Sequence, residues 1–227
     1  MTLPLLDNIV WHALSGPHAR FSAGSDRARR YAPGFSPIVG FADGARPDFA
    51  ALAPHCEPGQ HFYSAGWSGP APAGWQIHVD APMDQMVWDA AVPAAAPGVD
   101  AVGLGPEHAA QILELVALTH PGPFGPRTPE LGEYVGVFDG GRLIAMAGER
   151  MQAGDLCEIS GVCTHPDFTG RGLARSLVEI LVRRQVARGQ TPFLHVMQAN
   201  ERARALYARM GFAHRRQLAL RIVARAP

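Results

Sequence analysis

Apolar positions in the second half of the chain recur with two rhythms, one of helices and one of strands. Residues 107–118 carry Ile112, Leu115 and Val116 at helical spacing, and Pro106 stands where a helix begins without losing a donor. Residues 134–138 and 143–149 are apolar runs on either side of Asp139-Gly140-Gly141, which predicts a β-hairpin. A third strand is expected over 156–164. A long helix then opens at 170–172 with Leu173, Leu177, Ile180 and Leu181 on one face. A strand over 193–197, a helix over 201–210 stopped by Gly211, and closing strands over 213–223 complete the series. With a short strand at 102–104, the order is β-α-β-β-β-α-β-α-β, an α/β arrangement around a mixed sheet.

The first hundred residues have a looser pattern. It predicts a short helix over 25–31 and strands over 38–41, 61–67 and 76–79. All four tryptophans, Trp11, Trp67, Trp75 and Trp88, lie in this half, and aromatic core packing is the expected use for them. The segment Val92-Pro93-Ala94-Ala95-Ala96-Pro97-Gly98 reads as a linker, because Pro and Gly interrupt both helix and strand. This divides the chain into an accessory unit, 1–97, and a second unit, 98–227.

Composition narrows the function classes. A chain of 227 residues, 47% apolar and of zero formal net charge, can bury a real core. No run approaches eighteen apolar residues, so no membrane helix is expected, and the first residues lack the basic start and apolar stretch of a secretory signal. Cys56, Cys157 and Cys163 form no C-x-x-C pair, which points to a reducing cytoplasm. The ten histidines show no zinc spacing, so no metal is expected. There is no lysine, a trait that abundant Arg, Ala, Gly and Pro ascribe to a GC-rich genome. The first hundred residues hold five arginines against nine carboxylates, and the rest fifteen against eleven. That mild basic bias suits a small anionic ligand and is too weak for nucleic acid.

The stretch Val162-Cys163-Thr164-His165-Pro166-Asp167-Phe168-Thr169-Gly170-Arg171-Gly172-Leu173-Ala174 combines a strand, a turn, two glycines and a helix start. First-turn amides of a helix have no internal partner and carry partial positive charge, so they bind phosphate oxygens. Glycines let backbone approach those oxygens closely, and Arg171 and Arg175 can add charge. The third glycine of a dinucleotide-binding fingerprint is absent, Arg175 standing in its place.

Here the chain resembles the GNAT superfamily of acyl-CoA N-acyltransferases. Thr169 to Ala174 fits the pyrophosphate motif Gln/Arg-x-x-Gly-x-Gly/Ala at five of six positions, Thr169 being the departure. Asn200, Ala203, Leu206-Tyr207 and Gly211-Phe212 match a second signature, that of the helix beside the CoA thiol. Met146-Ala147-Gly148-Glu149-Arg150 and Glu158-Ile159-Ser160-Gly161 look like the glycine-N-acyltransferase-like branch, in which a degenerate GNAT-like N-terminal half precedes the catalytic half. The resemblance covers about 102–212. It implies a GNAT-type mixed central sheet flanked by helices, with 98–227 as the acyl-CoA-binding catalytic unit.

The resemblance also implies roles. Main-chain groups of Val162, Cys163 and Thr164 would bond the pantetheine arm of acetyl-CoA as if it were an added strand. Thr169, Gly170, Arg171, Gly172, Leu173 and Ala174 would hold the pyrophosphate. Glu158 occupies the place of the general base, for which a carboxylate with a raised pKa in a partly dry cleft is suited; a solvent-facing or salt-bridged strand residue is the alternative. Ser160, Val162 and Thr164 are expected on its face by strand alternation, and Glu149 is the reserve base. Tyr207 would donate to the departing thiolate or simply pack against Phe212. Asn200 would bond CoA, cap the helix at Glu201, or both. Cys163 with His165 suggests an acyl-enzyme route, set aside because no third residue orients the imidazole. The expectation is direct transfer of an acetyl or short acyl group to a primary amine, more a small molecule than a protein, with a strand amide near Val162 meeting the oxyanion. A CoA-binding sensor without chemistry is the alternative, and nucleotide binding through the glycine pair a third.

Overall fold

In the computed structural model, residues 2–92 and 98–226 are described, so most of the expected linker lies outside them. The chain opens with a 3-10 turn and α1 (Ile9–Ser15), then β1 (Ser22–Gly24), β2 (Ala28–Tyr31), β3 (Val39–Phe41), α2 (Phe49–Leu52), β4 (His61–Ala65) and β5 (Trp75–Trp88). The second half supplies β6 (Ala101–Gly103), α3 (Ala109–Thr119), β7 (Tyr134–Asp139), β8 (Arg142–Ala153), β9 (Leu156–Thr164), α4 (Leu173–Ala187), β10 (Thr191–Met197), α5 (Glu201–Met210) and β11 (Phe212–Arg225). That second series follows the expected order element for element, except that β11 is one long strand. No helix among the described residues is long and apolar enough to cross a membrane.

Strands β1, β2 and β3 form a small antiparallel sheet, and the other eight form one sheet in the order β4-β11-β5-β10-β9-β8-β7-β6. Among the described strands of this sheet, only β9 and β10 pair in parallel. This mixed α/β fold, a mostly antiparallel sheet flanked by helices, is the expected class. The helix expected over 25–31 is instead the strand β2. The Ser25 hydroxyl accepts from the amides of Arg27 and Ala28 and forms a turn there, after which strands on both sides satisfy the backbone of β2.

The division expected at 97/98 is crossed by the main sheet. β5 lies between β10 and β11, with Phe193 opposite Val87 on one side and Phe212 opposite Trp88 on the other. Its expected length, 76–79, falls well short of the 14 residues observed. Pro82 makes a long central strand look improbable, yet it stands just beyond the β10 ladder, which ends at Met83.

Helices cover both faces of the sheet. On one, α4 buries Leu177, Val178, Leu181 and Val182 against Ala145 and Ile159, and Tyr207 and Phe212 extend the cluster. Each fully buried aliphatic side chain of this kind contributes about 1.5–3 kcal/mol. On the other face, Leu6, Ile9 and Leu14 of the N-terminal segment pack on Met151, Leu156 and Phe193. Trp67 and Trp75 pack with Phe49 and Phe62 in a separate cluster, so these tryptophans serve a core, as expected.

Candidate active site

The two parallel strands separate. β9 pairs with β10 only from Leu156 to Glu158, opposite Thr191 to Phe193, although β9 continues to Thr164 and β10 to Met197. The edge of β9 that faces β10 is therefore without a strand partner from Ile159 onward, at the segment expected to receive an extended ligand. Its other edge remains paired to β8, with a bulge that sets two β9 residues, Gly161 and Val162, against one. Gly161 takes φ +63°, a left-handed conformation that other residues adopt only at a cost.

The bulge overturns one expectation. Glu158 and Val162 do not share a face: Val162 packs with Ile159 in the cluster under α4, and Cys163 packs with Ile112, Leu115 and Met146 beneath α3. One inserted residue reverses the alternation on which the expectation relied.

Beyond Thr164, a 3-10 turn at Pro166–Phe168 leads to the glycine loop. Gly170 and Gly172 have φ +80° and +78°, and a Cβ built at either meets nothing within 4 Å. The backbone there is open to a ligand. Gly172 caps the 15-residue α4 with no side-chain capping bond, so the first-turn amides are not engaged by a capping side chain. The two arginines are partly committed: Arg171 stacks over Phe168 at 4.6 Å and Arg175 pairs with Glu179 at 2.8 Å. The Thr169 hydroxyl donates to the carbonyl of Pro166. Binding here would rest on main chain, which fits a pyrophosphate.

Asn200 caps α5, its Oδ1 accepting from the amide of Ala203 at 3.1 Å. Tyr207 is buried edge-on to Phe212, and its hydroxyl makes no side-chain hydrogen bond among the described residues. Burial pushes the phenol up to about 12, so it stays protonated at neutral pH. Burial likewise pushes the Cys163 thiol up to about 11, which leaves little thiolate for an acyl-enzyme route. Among the described residues no group of three His, Cys, Asp or Glu could hold a metal.

Glu158 departs most from expectation. Its side chain is fully buried, and both oxygens are engaged: Arg150 Nε donates to Oε2 and Arg150 NH2 to Oε1, each at 2.8 Å, while His195 Nδ1 lies 2.8 Å from Oε1. Burial alone raises its pKa, but the charge and hydrogen bonds of Arg150, with those of His195, outweigh that and hold it at about 2. The raised pKa expected of a general base is absent, and the salt-bridged alternative describes the geometry. The reserve, Glu149, faces the other side of the sheet, where it accepts from Gln185 Nε2 and from the amide of Glu133 and pairs with Arg188. Consecutive strand residues point to opposite faces, so Glu149 and Arg150 cannot serve one cleft.

Around Glu158 lies a polar group that sequence reasoning did not assemble. His195 Nε2 is 3.1 Å from Gln85 Nε2, and Arg215 donates to Gln85 Oε1. His18 Nδ1 lies 2.8 Å from the Tyr31 hydroxyl, and burial, with the charge of Arg20, pushes this histidine down to about 4. One signal was legible: Arg150 and Glu158 stand on adjacent hairpin strands near the Gly154 turn. The N-terminal contributors carry no comparable pattern.

A model of the family FR47-like protein matches residues 134–221. A solved chain from Novosphingobium aromaticivorans DSM 12444, assigned to the GNAT family of acetyltransferases, is 35% identical with a TM-score of 0.90, over 98% of this chain and 99% of that one. This chain belongs to the GNAT family. Two more distant structures share the GNAT fold. A GCN5-related N-acetyltransferase from Kribbella flavida is 17% identical with a TM-score of 0.62, over 96% of this chain and 95% of that one. A GCN5-related N-acetyltransferase-like protein from Streptococcus suis 89/1591 is 14% identical with a TM-score of 0.59, over 97% of each. No curated protein sequence matches this GNAT chain.

Proposed function

We propose that this GNAT protein transfers an acetyl or other short acyl group from acyl-CoA to a primary amine of a small molecule. The observation that carries the reading is the parting of β9 and β10 after Glu158 and Phe193, followed along the same strand by the open glycine loop. Main-chain groups of Val162, Cys163 and Thr164 hold the pantetheine arm in strand-like fashion. The amides of residues 169–174 hold the pyrophosphate. Bound acyl-CoA supplies an activated thioester. As the N–C bond forms and the C–S bond breaks, the Tyr207 hydroxyl gives its proton to the sulfur. The acceptor enters as free amine from the face covered by the N-terminal segment; the proton it sheds on acylation goes to water, and water returns a proton to the Tyr207 phenolate. Glu158 fixes Arg150 and His195 instead of taking that proton. The segments that resemble the glycine-N-acyltransferase-like branch contribute Arg150 and Glu158 to this arrangement, which favours placing the chain in that branch. Within residues 1–97, the segment ahead of β4 and β5 lines the acceptor side, and the protein works in the cytoplasm.

Acetyl-CoA at a hundredfold excess over its dissociation constant should stabilise the protein by about 2.7 kcal/mol. Absence of any acetyl-CoA-dependent melting shift removes the central claim. A CoA-binding sensor is the second reading, favoured by a Glu158 already committed to Arg150 and His195, and thiol release across an amine library separates the two. A sensor binds acetyl-CoA and never turns over.

A further inference from the structure

The Tyr134 hydroxyl is buried and has no hydrogen-bond partner among the described residues. Tyr134 starts on β7, and its ring reaches across β8 at Gly148, where a Cβ would sit 2.2 Å from the ring carbons. The ring edge is 3.3 Å, and the hydroxyl 3.6 Å, from the position a Cβ on Gly161 would take. The hydroxyl is thus delivered from two strands away to the β9 bulge, beside the point where β9 and β10 part. Phe124 stands edge-on to the ring, with centroids 5.9 Å apart.

Its polar neighbours are already engaged. Arg150 forks Glu158, His195 bonds Glu158 and Gln85, and the Tyr31 hydroxyl bonds His18. A buried hydroxyl left without a partner costs stability, so its retention calls for an explanation outside the free fold. We propose that the Tyr134 hydroxyl hydrogen-bonds the acceptor amine, accepting its N–H so that the nitrogen lone pair points at the thioester carbonyl. This rests on the acyl-transfer reading above and adds the residue that orients the acceptor. Burial holds the phenol protonated, so its oxygen lone pairs stay available to the amine without a charge appearing in the cleft.

The test compares wild type with Tyr134→Phe, which deletes only the oxygen. Thiol release is followed with acetyl-CoA and a panel of amino acids, diamines and arylalkylamines. The expected result is a fall of about tenfold or more in kcat/KM for the amine, unchanged affinity for acetyl-CoA, and a melting temperature equal to or above that of wild type. Unchanged amine kinetics overturns the proposal. So does a clear drop in melting temperature, which means the hydroxyl is satisfied within the fold. Should wild type release no thiol with any amine, the acyl-transfer reading itself fails, visibly before the variant is compared, and the proposal falls with it.

Discussion

Glu158→Gln separates a structural carboxylate from a catalytic one. Glutamine keeps the shape and some hydrogen bonding but removes the charge facing Arg150, whose side chain is only 11% exposed against 1% for Glu158. Two routes give the size of the effect. The carboxylate is held at about 2 against an ordinary 4.5, and at 1.36 kcal/mol per pH unit that is about 3 kcal/mol of stability. Breaking a buried ion pair by removing one partner costs about 3–5 kcal/mol. The sign follows from the depressed pKa: the contribution is complete above the unfolded value and is lost as pH falls through the folded one. Urea unfolding at pH 7 should therefore show the variant about 3 kcal/mol less stable than wild type. At pH 3 the gap should narrow by about 2 kcal/mol, because wild type has by then lost most of the linked stabilisation. A gap below about 1 kcal/mol at pH 7, with turnover reduced by the roughly 10²- to 10⁴-fold of a lost base, would refute the structural account and restore Glu158 as the proton acceptor.

Three further outcomes are expected. Tyr207→Phe should lower turnover and leave acetyl-CoA affinity unchanged in calorimetry; equal loss of affinity with unchanged turnover would reduce Tyr207 to packing. Gly172→Asp should abolish the acetyl-CoA melting shift, since it sets a negative charge at the open loop. Its own melting temperature should fall only slightly, because the left-handed position costs Asp about 1–2 kcal/mol and nothing crowds the side chain. Urea unfolding followed by tryptophan fluorescence and by far-UV dichroism should give one coincident transition, because the main sheet draws strands from both sides of 97/98; two separated transitions would mean that the halves are independent.

The second half was legible because each of its elements announces itself locally. Leu177 and Leu181 mark a helix face, Asp139-Gly140-Gly141 a turn, and Gly170 and Gly172 a strand–helix junction, and each does so whatever lies elsewhere in the chain. The position of β5 was not legible, since the neighbours that make it a central strand are remote in sequence. Its outer part, near His78 and Asp80, reads as polar surface, and Pro82 argues against a long strand. The lowered pKa of Glu158 was hidden for a related reason. A carboxylate's pKa depends on what faces it, and Arg150 and His195 converge only once β8, β9 and β10 lie side by side. The reversal at Gly161 was hidden because a bulge appears only in the register of the paired strands.

The place of β5 also constrains the order in which the molecule is built. It leaves the ribosome well before its neighbours, since Met86 pairs with Leu194 and with His214, more than 100 positions later. Until those residues emerge, both edges of a 14-residue strand have no partner. Such distant pairings fold slowly and leave bare edges exposed to other nascent chains. The first half cannot finish folding ahead of the second, and loss of the last strand would undo the sheet around a segment translated long before it.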